Sequence, residues 1–454
     1  MKTKMKVPGL RIAAATLWLA AATAVYCQAS TATNSTVAPT NTVSTNAVAK
    51  SKPFVHLDGT DLTIGNLPPV TFHGFASQGF IATSSYNFLG QNTTSGSIDY
   101  DEVGLNASAS PFARTRIAAQ VFAFDVGNVG YNQPTLDYAL IDYTFNDEVG
   151  VRLGRIRRPE GIYNHIQDVD LARTSILLPQ GVYDARWRDF SSSLDGGSVY
   201  GNINLPKAGS VSYEFYGGVI DLSQDGGVAR DLENSLYGTG LTLQGQRSGP
   251  QIGGQLWWNT ALTGLRLGAA ATYNYGYVAT AEESTMYPVG AGHYTPLNVE
   301  LNDRINVPWH HYSIEYQHDK WTLQSEFRSQ TLIEKQTTST VFSQIPSHDS
   351  TSVANHMNTS GSWYIGAAYE VNPWMQVGTY YNEYYSSLNQ LRGPPTGFQK
   401  DLALSFRFDP KPWWVLKLEG HYIHGTALLD DTLDNPNQSG NGWWLLAMKT
   451  TFSF

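Results

Sequence analysis

Between Arg152 and Arg188 this chain concentrates its charge. Arg152, Arg155, Arg157 and Arg158 stand close together, and Glu160, Asp168, Asp170, Arg173, Asp184, Arg186 and Arg188 follow in the segment 160–188. Carboxylates and guanidiniums at this density can do two things. Facing each other across a narrow water-filled space, they set up a transverse field that orients dipolar solutes and sorts ions by charge. Paired in a low-dielectric setting, they instead pin a loop to its support, because opposite partners are how buried charges survive. The sequence leaves both open for the same residues. Arg114 and Arg116 would add to a basic wall with Arg152. The facing of Arg155 and Arg157 also stays open, because a bulge at Gly154 would swap them.

Other chemistry is thin. The eleven His residues show no triad-like setting, and the nearest pairs, His310-His311 and His421-x-x-His424, read as wall or rim positions. His421 is expected as a solvated imidazole, since a metal site needs three or four convergent ligands. The stretch "DDTLDNPN" from Asp430 has carboxylates for Ca²⁺ but lacks EF-hand spacing. No GxGxxG, P-loop or CxxC motif is present, so no cofactor, metal or catalytic residue is expected. A barrel enzyme acting on lipid is the alternative of another class.

The totals bound what could position those charges. Of 454 residues, 41% are hydrophobic and only 15% charged, against roughly 25% in an average soluble domain. Aromatics reach 12%, with 26 Tyr and 12 Trp. Residues 1–29 read as a secretory signal, with Lys2, Lys4, Lys6 and Arg11 ahead of "IAAATLWLAAATAVY" and small residues at Cys27-Gln-Ala29. Cleavage after Ala29 would remove those four cations and Cys27, leaving 25 Lys and Arg against 38 Asp and Glu, a net −13. That balance argues against a nucleic-acid partner. Residues 30–67, rich in Ser, Thr, Asn and Ala, read as a flexible leader ahead of one domain spanning 68–454.

From about Val70 to the end, polarity alternates in runs that are joined in turn by short and long connections. Ser110-Pro111-Phe112, Asn146-Asp147-Glu148, Thr263-Gly264, His318-Asp319-Lys320 and Asn372-Pro373 are compact turns between alternating runs. The long connections fall near 86–96, 160–188, 223–249, 279–307, 336–360, 386–397 and 427–440. Short turns at one end and long loops at the other predict an antiparallel up-and-down transmembrane β-barrel. Sixteen strands are counted, and eighteen stay open because Tyr237–Gln246 also alternates. Ile117, Val121, Ile365, Leu402 and Leu404 fall on an apolar face, and Gln120, Tyr364, Ser405, Glu419 and His421 on a polar one. One face then meets water and the other lipid. In hydrocarbon, backbone polar groups survive only if the sheet closes without an edge. Phe454 and Phe452 end the last alternating run on its outward face, and rings such as Phe112, Trp321, Trp374, Trp413 and Trp414 gather at turns, as an interfacial girdle would.

With its signal, sixteen alternating strands and terminal Phe, the chain resembles the general porin superfamily of Gram-negative outer membranes over about 70–454. The stretch "LGRIRRPEGIYNHIQDVDLARTSILLPQGVY" is similar to the fifth strand and third loop of porins related to the phosphate-selective type. The resemblance implies a homotrimer in the cell outer membrane, in contact with lipid and lipopolysaccharide, with the third loop folded into the pore. It also implies that Phe454 is the signal read by the barrel-assembly machinery. The expected function is passive diffusion of small hydrophilic solutes and ions, with a selective channel for anions such as phosphate or carboxylates as the alternative. Arg114, Arg116, Arg152, Arg155, Arg157, Arg158, Glu160, Asp168, Asp170, Arg173, Asp184 and Arg186 are the expected pore-lining or constriction residues.

Overall fold

The computed structural model describes residues 55–454 apart from Asn128, Ala291, 430–434, Pro436, Asn437, Ser439 and Asn441. The expected signal peptide, the leader up to residue 54 and most of "DDTLDNPN" lie outside the described residues. The remainder of the leader is paired. β1 (Val55–Asp58) and β2 (Asp61–Ile64) form a hairpin across Gly59, and Asp61↔Thr71 and Leu62↔Val70 join it to β3 (Val70–Thr83).

Sixteen strands make the barrel. β3 is followed by β4 (Tyr100–Phe112), β5 (Thr115–Val126), β6 (Thr135–Asn146), β7 (Val149–Arg157), β8 (Ser193–Leu205) and β9 (Gly209–Val219). After β10 (Thr242–Arg247) come β11 (Pro250–Asn259), β12 (Leu265–Gly290), β13 (His293–His318), β14 (Trp321–Phe342) and β15 (Ser350–Asn372). β16 (Met375–Tyr385), β17 (Phe398–Lys411), β18 (Trp414–Gly425) and β19 (Trp443–Ser453) complete it. Each barrel strand pairs antiparallel with the next, and β19 returns to β3 from Leu445↔Thr83 to Ser453↔Phe75. The ring of sixteen strands has no open edge, which is the condition for a sheet to stand in hydrocarbon.

Two features differ from the sequence-based expectation. The polar stretches 279–307 and 336–360, expected as loops, are strand: β12 and β13 reach 26 residues each, β14 22 and β15 23. Crossing a bilayer takes only about 9–11 tilted residues. The excess is a water-facing extension whose polar residues kept the period of two, so loop composition hid strand geometry. The alternating segment near Tyr237–Gln246 is β10, which pairs with β12 from Thr242↔Glu282 to Arg247↔Val278, directly beyond β11. It lengthens the eighth strand's edge and leaves the count at sixteen.

The side-chain distribution is inverted relative to a soluble core. Leu404 is 48% exposed on the outer face while its neighbour Ser405 is 1% exposed inside. Val121, Leu153, Ile365, Leu402 and Trp444 are likewise exposed, whereas His311, Glu326, Lys417, Glu419 and Lys449 are buried. At the short-turn end Trp413, Trp414 and Phe452 stack at 5.8–6.4 Å, and Trp321 meets Tyr369 at 4.6 Å. The Phe454 amide and carbonyl bond across to Gly74.

A charge on the outer face should therefore cost about 2–4 kcal/mol near the bilayer midplane. Ile365→Lys is expected to lose that much in a denaturant titration of the refolded barrel. Ala368→Lys, three residues away and facing a cavity of about 320 Å³, should lose far less. Equal losses would mean that the facing is misassigned.

Candidate constriction site

The segment 158–192 between β7 and β8 turns inward and crosses the lumen. It contains three single 3₁₀ turns and a short helix α1 (Arg188–Ser191), so most of its backbone lacks ladder partners. Buried N–H and C=O groups must be paired. Here the barrel wall supplies the partners. The Ile176 and Leu177 N–H groups donate to the two oxygens of Glu419 at 2.7 and 2.8 Å, and Ile162 N–H donates to Glu326 at 2.9 Å. Carbonyls are met in kind: Arg407 reaches Leu171, Lys417 reaches Asp170 and Ser175, Arg328 reaches Val182, and Gln255 reaches Gly161. Gly161 sits at φ 61°, and a Cβ there would lie 2.4 Å from the Tyr183 hydroxyl, so only glycine fits this turn.

The wall glutamates are hubs of similar construction. Glu326 accepts from Ser313 at 2.6 Å, Tyr183 at 2.6 Å and Tyr364 at 2.9 Å, and lies 3.0 Å from His311 Nε2. Glu419 accepts from Ser405 at 2.5 Å and lies 3.0 Å from His421 Nε2. Both nitrogens of each imidazole face carboxylates, with Glu160 on the far side of His311 and Asp401 on the far side of His421. Each serine donates to the glutamate and no ring nitrogen is left to activate it. Neither Ser-His-Glu set is wired for nucleophilic catalysis. His421, expected in solvent, is 1% exposed between Asp401 and Glu419.

Three further clusters hold the loop by charge. Asp168 meets Arg157 and Arg188, which also meet Asp137 of β6. Burial works to raise the Asp168 carboxyl, and Arg157 and Arg188 overcome it and hold it down at about 2. Asp170 faces Lys449 at 2.8 Å, Lys417 at 3.4 Å and Arg173 at 3.4 Å, and accepts from Thr451 at 2.6 Å. Its carboxyl, resisting burial, sits well below the ordinary range because of those cations. Glu160 pairs with Arg158 at 2.7 Å, and the Arg158 guanidinium lies 4.2 Å over the Trp309 ring. α1 also touches the next long loop: a Cβ on Gly226, just ahead of helix α2 (Gly227–Leu236), would lie 2.0 Å from the Asp189 carboxylate. Burial raises that carboxyl to about 7 against the pull of the Phe190 and Val228 amides.

The structure thus gathers Arg157, Arg158, Glu160, Asp168, Asp170 and Arg173 in pinning pairs, and separates the others. Arg186 pairs with Asp184 at 2.7 Å, partly exposed beside a cavity of about 280 Å³. Arg152, on the β7 wall, bridges Asp142 at 3.1 Å and Glu214 at 2.8 Å and lies over the Tyr200 ring. Arg114 occupies the β4–β5 turn at φ 63° and donates to the Phe145 carbonyl, away from the loop, and Arg116 is exposed nearby. Past Gly154, whose φ is 123°, Arg155 goes to the exposed Asp195 and Asp221 while Arg157 goes to the loop. Glu326, Asp401, Lys449 and Asp137 had not been singled out, and His311 had been read only as a wall or rim position. Their signal was polar or charged residues recurring at lumen positions of β6, β13, β14 and β17–β19.

Solved structures share this architecture. Salmonella typhi OmpF in complex with daunomycin aligns at TM-score 0.51 and 12% identity, over 85% of this chain and 98% of its own. The outer membrane channel DcaP of Acinetobacter baumannii aligns at 0.48 and 10%, over 85% and 97%. An anion-selective porin from Comamonas acidovorans aligns at 0.46 and 12%, over 85% and 99%. The chain is a sixteen-stranded closed barrel resembling outer-membrane porins. No family model and no curated protein matches it. At such identity the likeness shows the fold alone.

Removing a hub should release the loop. Glu419→Ala strands two loop amides and leaves His421 with one carboxylate, a loss of about 3–5 kcal/mol for a broken buried network. Limited proteolysis within 158–192 should become detectable. Arg155→Ala, whose ion pairs are exposed, should cost under about 1 kcal/mol and leave the loop protected.

Proposed function

We propose that this protein is an outer-membrane porin, a water-filled channel for passive diffusion of small hydrophilic solutes and ions. The observation that carries the reading is a closed barrel with a charged lumen that a single pinned loop crosses without filling. Cavities of about 580 and 280 Å³ lie on the long-loop side of that segment, and cavities of about 430 and 320 Å³ on the short-turn side. The loop narrows the path, and its anchoring keeps the narrowing fixed. The accessible charges beside it, among them Arg152, Arg186 and Arg266, bias which ions enter. Assembly as a homotrimer, with Phe454 presented to the barrel-assembly machinery, belongs to the same reading.

Purified barrel in a planar bilayer should give stepwise, ohmic KCl currents. A folded, inserted barrel without such steps would overturn the channel reading. Arg152→Gln leaves Asp142 and Glu214 uncompensated on the wall, so the reversal potential in about 0.05 M KCl should shift toward cations. In about 1 M KCl, where the Debye length is about 3 Å, the shift should nearly vanish. Strong anion selectivity in the unaltered protein would favour a channel for phosphate or carboxylates over a general pore.

A further inference from the structure

A cavity of about 580 Å³ has a lining of apolar, neutral polar and acidic residues that the channel reading does not use. Its floor is Trp187 and Phe190 of the lumen-crossing loop, one side is Val228, Leu232 and Leu236 of α2, and the other is the inner face of β12–β14. That inner face is mostly apolar, through Tyr277, Ile305 and Leu332 among others, yet it carries Asp303 and Glu334, and α2 adds Asp231. Among the described residues, no Lys, Arg or His lines the cavity.

The absence of a base follows from the strands. Asp303 and Glu334 are diagonal neighbours across β13 and β14, where Asp303 is opposite Gln336 and Glu334 opposite Ile305. The residues next to them in sequence, Arg304 and Lys335, are exposed on the opposite face, because side chains alternate along a strand. On α2, Arg230 is 3.5 Å from Glu233, one turn along the same helix. The diagonal register sets the Asp303 and Glu334 carboxyls side by side on the cavity wall, and Asp303 Oδ1 is enclosed with no donor beside it. Two carboxyls meeting without a cation are an incomplete arrangement, since like charges side by side cost free energy that a cation between them would recover. An apolar chamber of this size with a few converging polar groups has the form of a small-molecule site.

We propose that this cavity binds an organic cation with an apolar body, a protonated aromatic amine being the simplest case, and holds it ahead of the constriction. The ring system lies against Phe190, Leu232 and Tyr277 while the ammonium sits at Asp303 and Glu334. Its place on a permeation path rests on the channel reading above; the binding itself does not.

The test is calorimetric titration of the full barrel in detergent with three probes of one shape: 1-naphthylmethylammonium, 1-naphthalenemethanol and 1-naphthoate. The ammonium should bind roughly tenfold or more tightly than the alcohol, the usual worth of a charge-assisted contact, and the carboxylate weakest. The double variant Asp303→Asn/Glu334→Gln should bring the ammonium to the level of the alcohol. Thr338→Trp, which crowds the chamber from the water-facing extension without altering either carboxyl, should weaken all three probes. Equal affinity for ammonium and naphthoate, or unchanged ammonium affinity in the double variant, overturns the site. KCl current from the same preparation separates the two readings: a conducting barrel with no preference for the ammonium loses the site alone, and one that binds it but carries no current loses the channel alone.

Discussion

No backbone polar group at membrane depth can be left without a partner. That constraint shapes both halves of this structure. For the wall it requires closure, and the sixteen strands close from β19 to β3 with every ladder paired. For the segment 158–192, which leaves the ladder and enters the lumen, it requires substitutes for the missing strand neighbours. The wall provides them with side chains, and Glu419 alone takes two consecutive loop amides. A polar lumen is thus more than a water-facing surface. Part of it serves as the hydrogen-bond partner of an irregular backbone.

Charge burial follows from the same arrangement. Asp168, Asp170, Glu160, Arg158 and Arg173 are all buried, at positions where an isolated charge would be expelled or neutralised. Each has an opposite charge within reach, and for Asp170 there are three cations from two wall strands and the loop itself. Removing one member leaves the others uncompensated, so the clusters hold the loop as a set. The buried and the partly exposed ion pairs of this region differ in what they touch. Buried pairs fix the loop, while Arg152, Arg186 and their acids stay partly open to solvent.

Much of this was legible in the sequence because a barrel wall has a period of two and the lipid face tolerates no charge. Ile365, Leu402 and Leu404 declare the outer face without help from any partner. The strand extensions were hidden because composition was weighed above period: "TTSTVF" reads as loop by content and as strand by alternation. The loop's charges were visible as a group. Their pairing was not, because Asp170 meets Lys417 and Lys449 across more than half of the chain, and nothing local specifies that meeting. His421 was misjudged for the same reason. Its burial depends on Asp401 and on a loop from the far side of the barrel.

The central claim is that this loop leaves β7 and is fixed against the opposite wall. Thr174 of the loop and Gly378 of β16 offer the most direct check, since a Cβ built at Gly378 lies 3.1 Å from that of Thr174, close to disulfide range. In a chain whose sole cysteine is Cys27, the pair Thr174→Cys/Gly378→Cys should form an intramolecular disulfide under mild oxidation, readable by mass spectrometry of the digested barrel. Near-complete linkage in folded barrel is the predicted result. Two thiols that stay free in folded barrel would place the loop elsewhere and contradict the account.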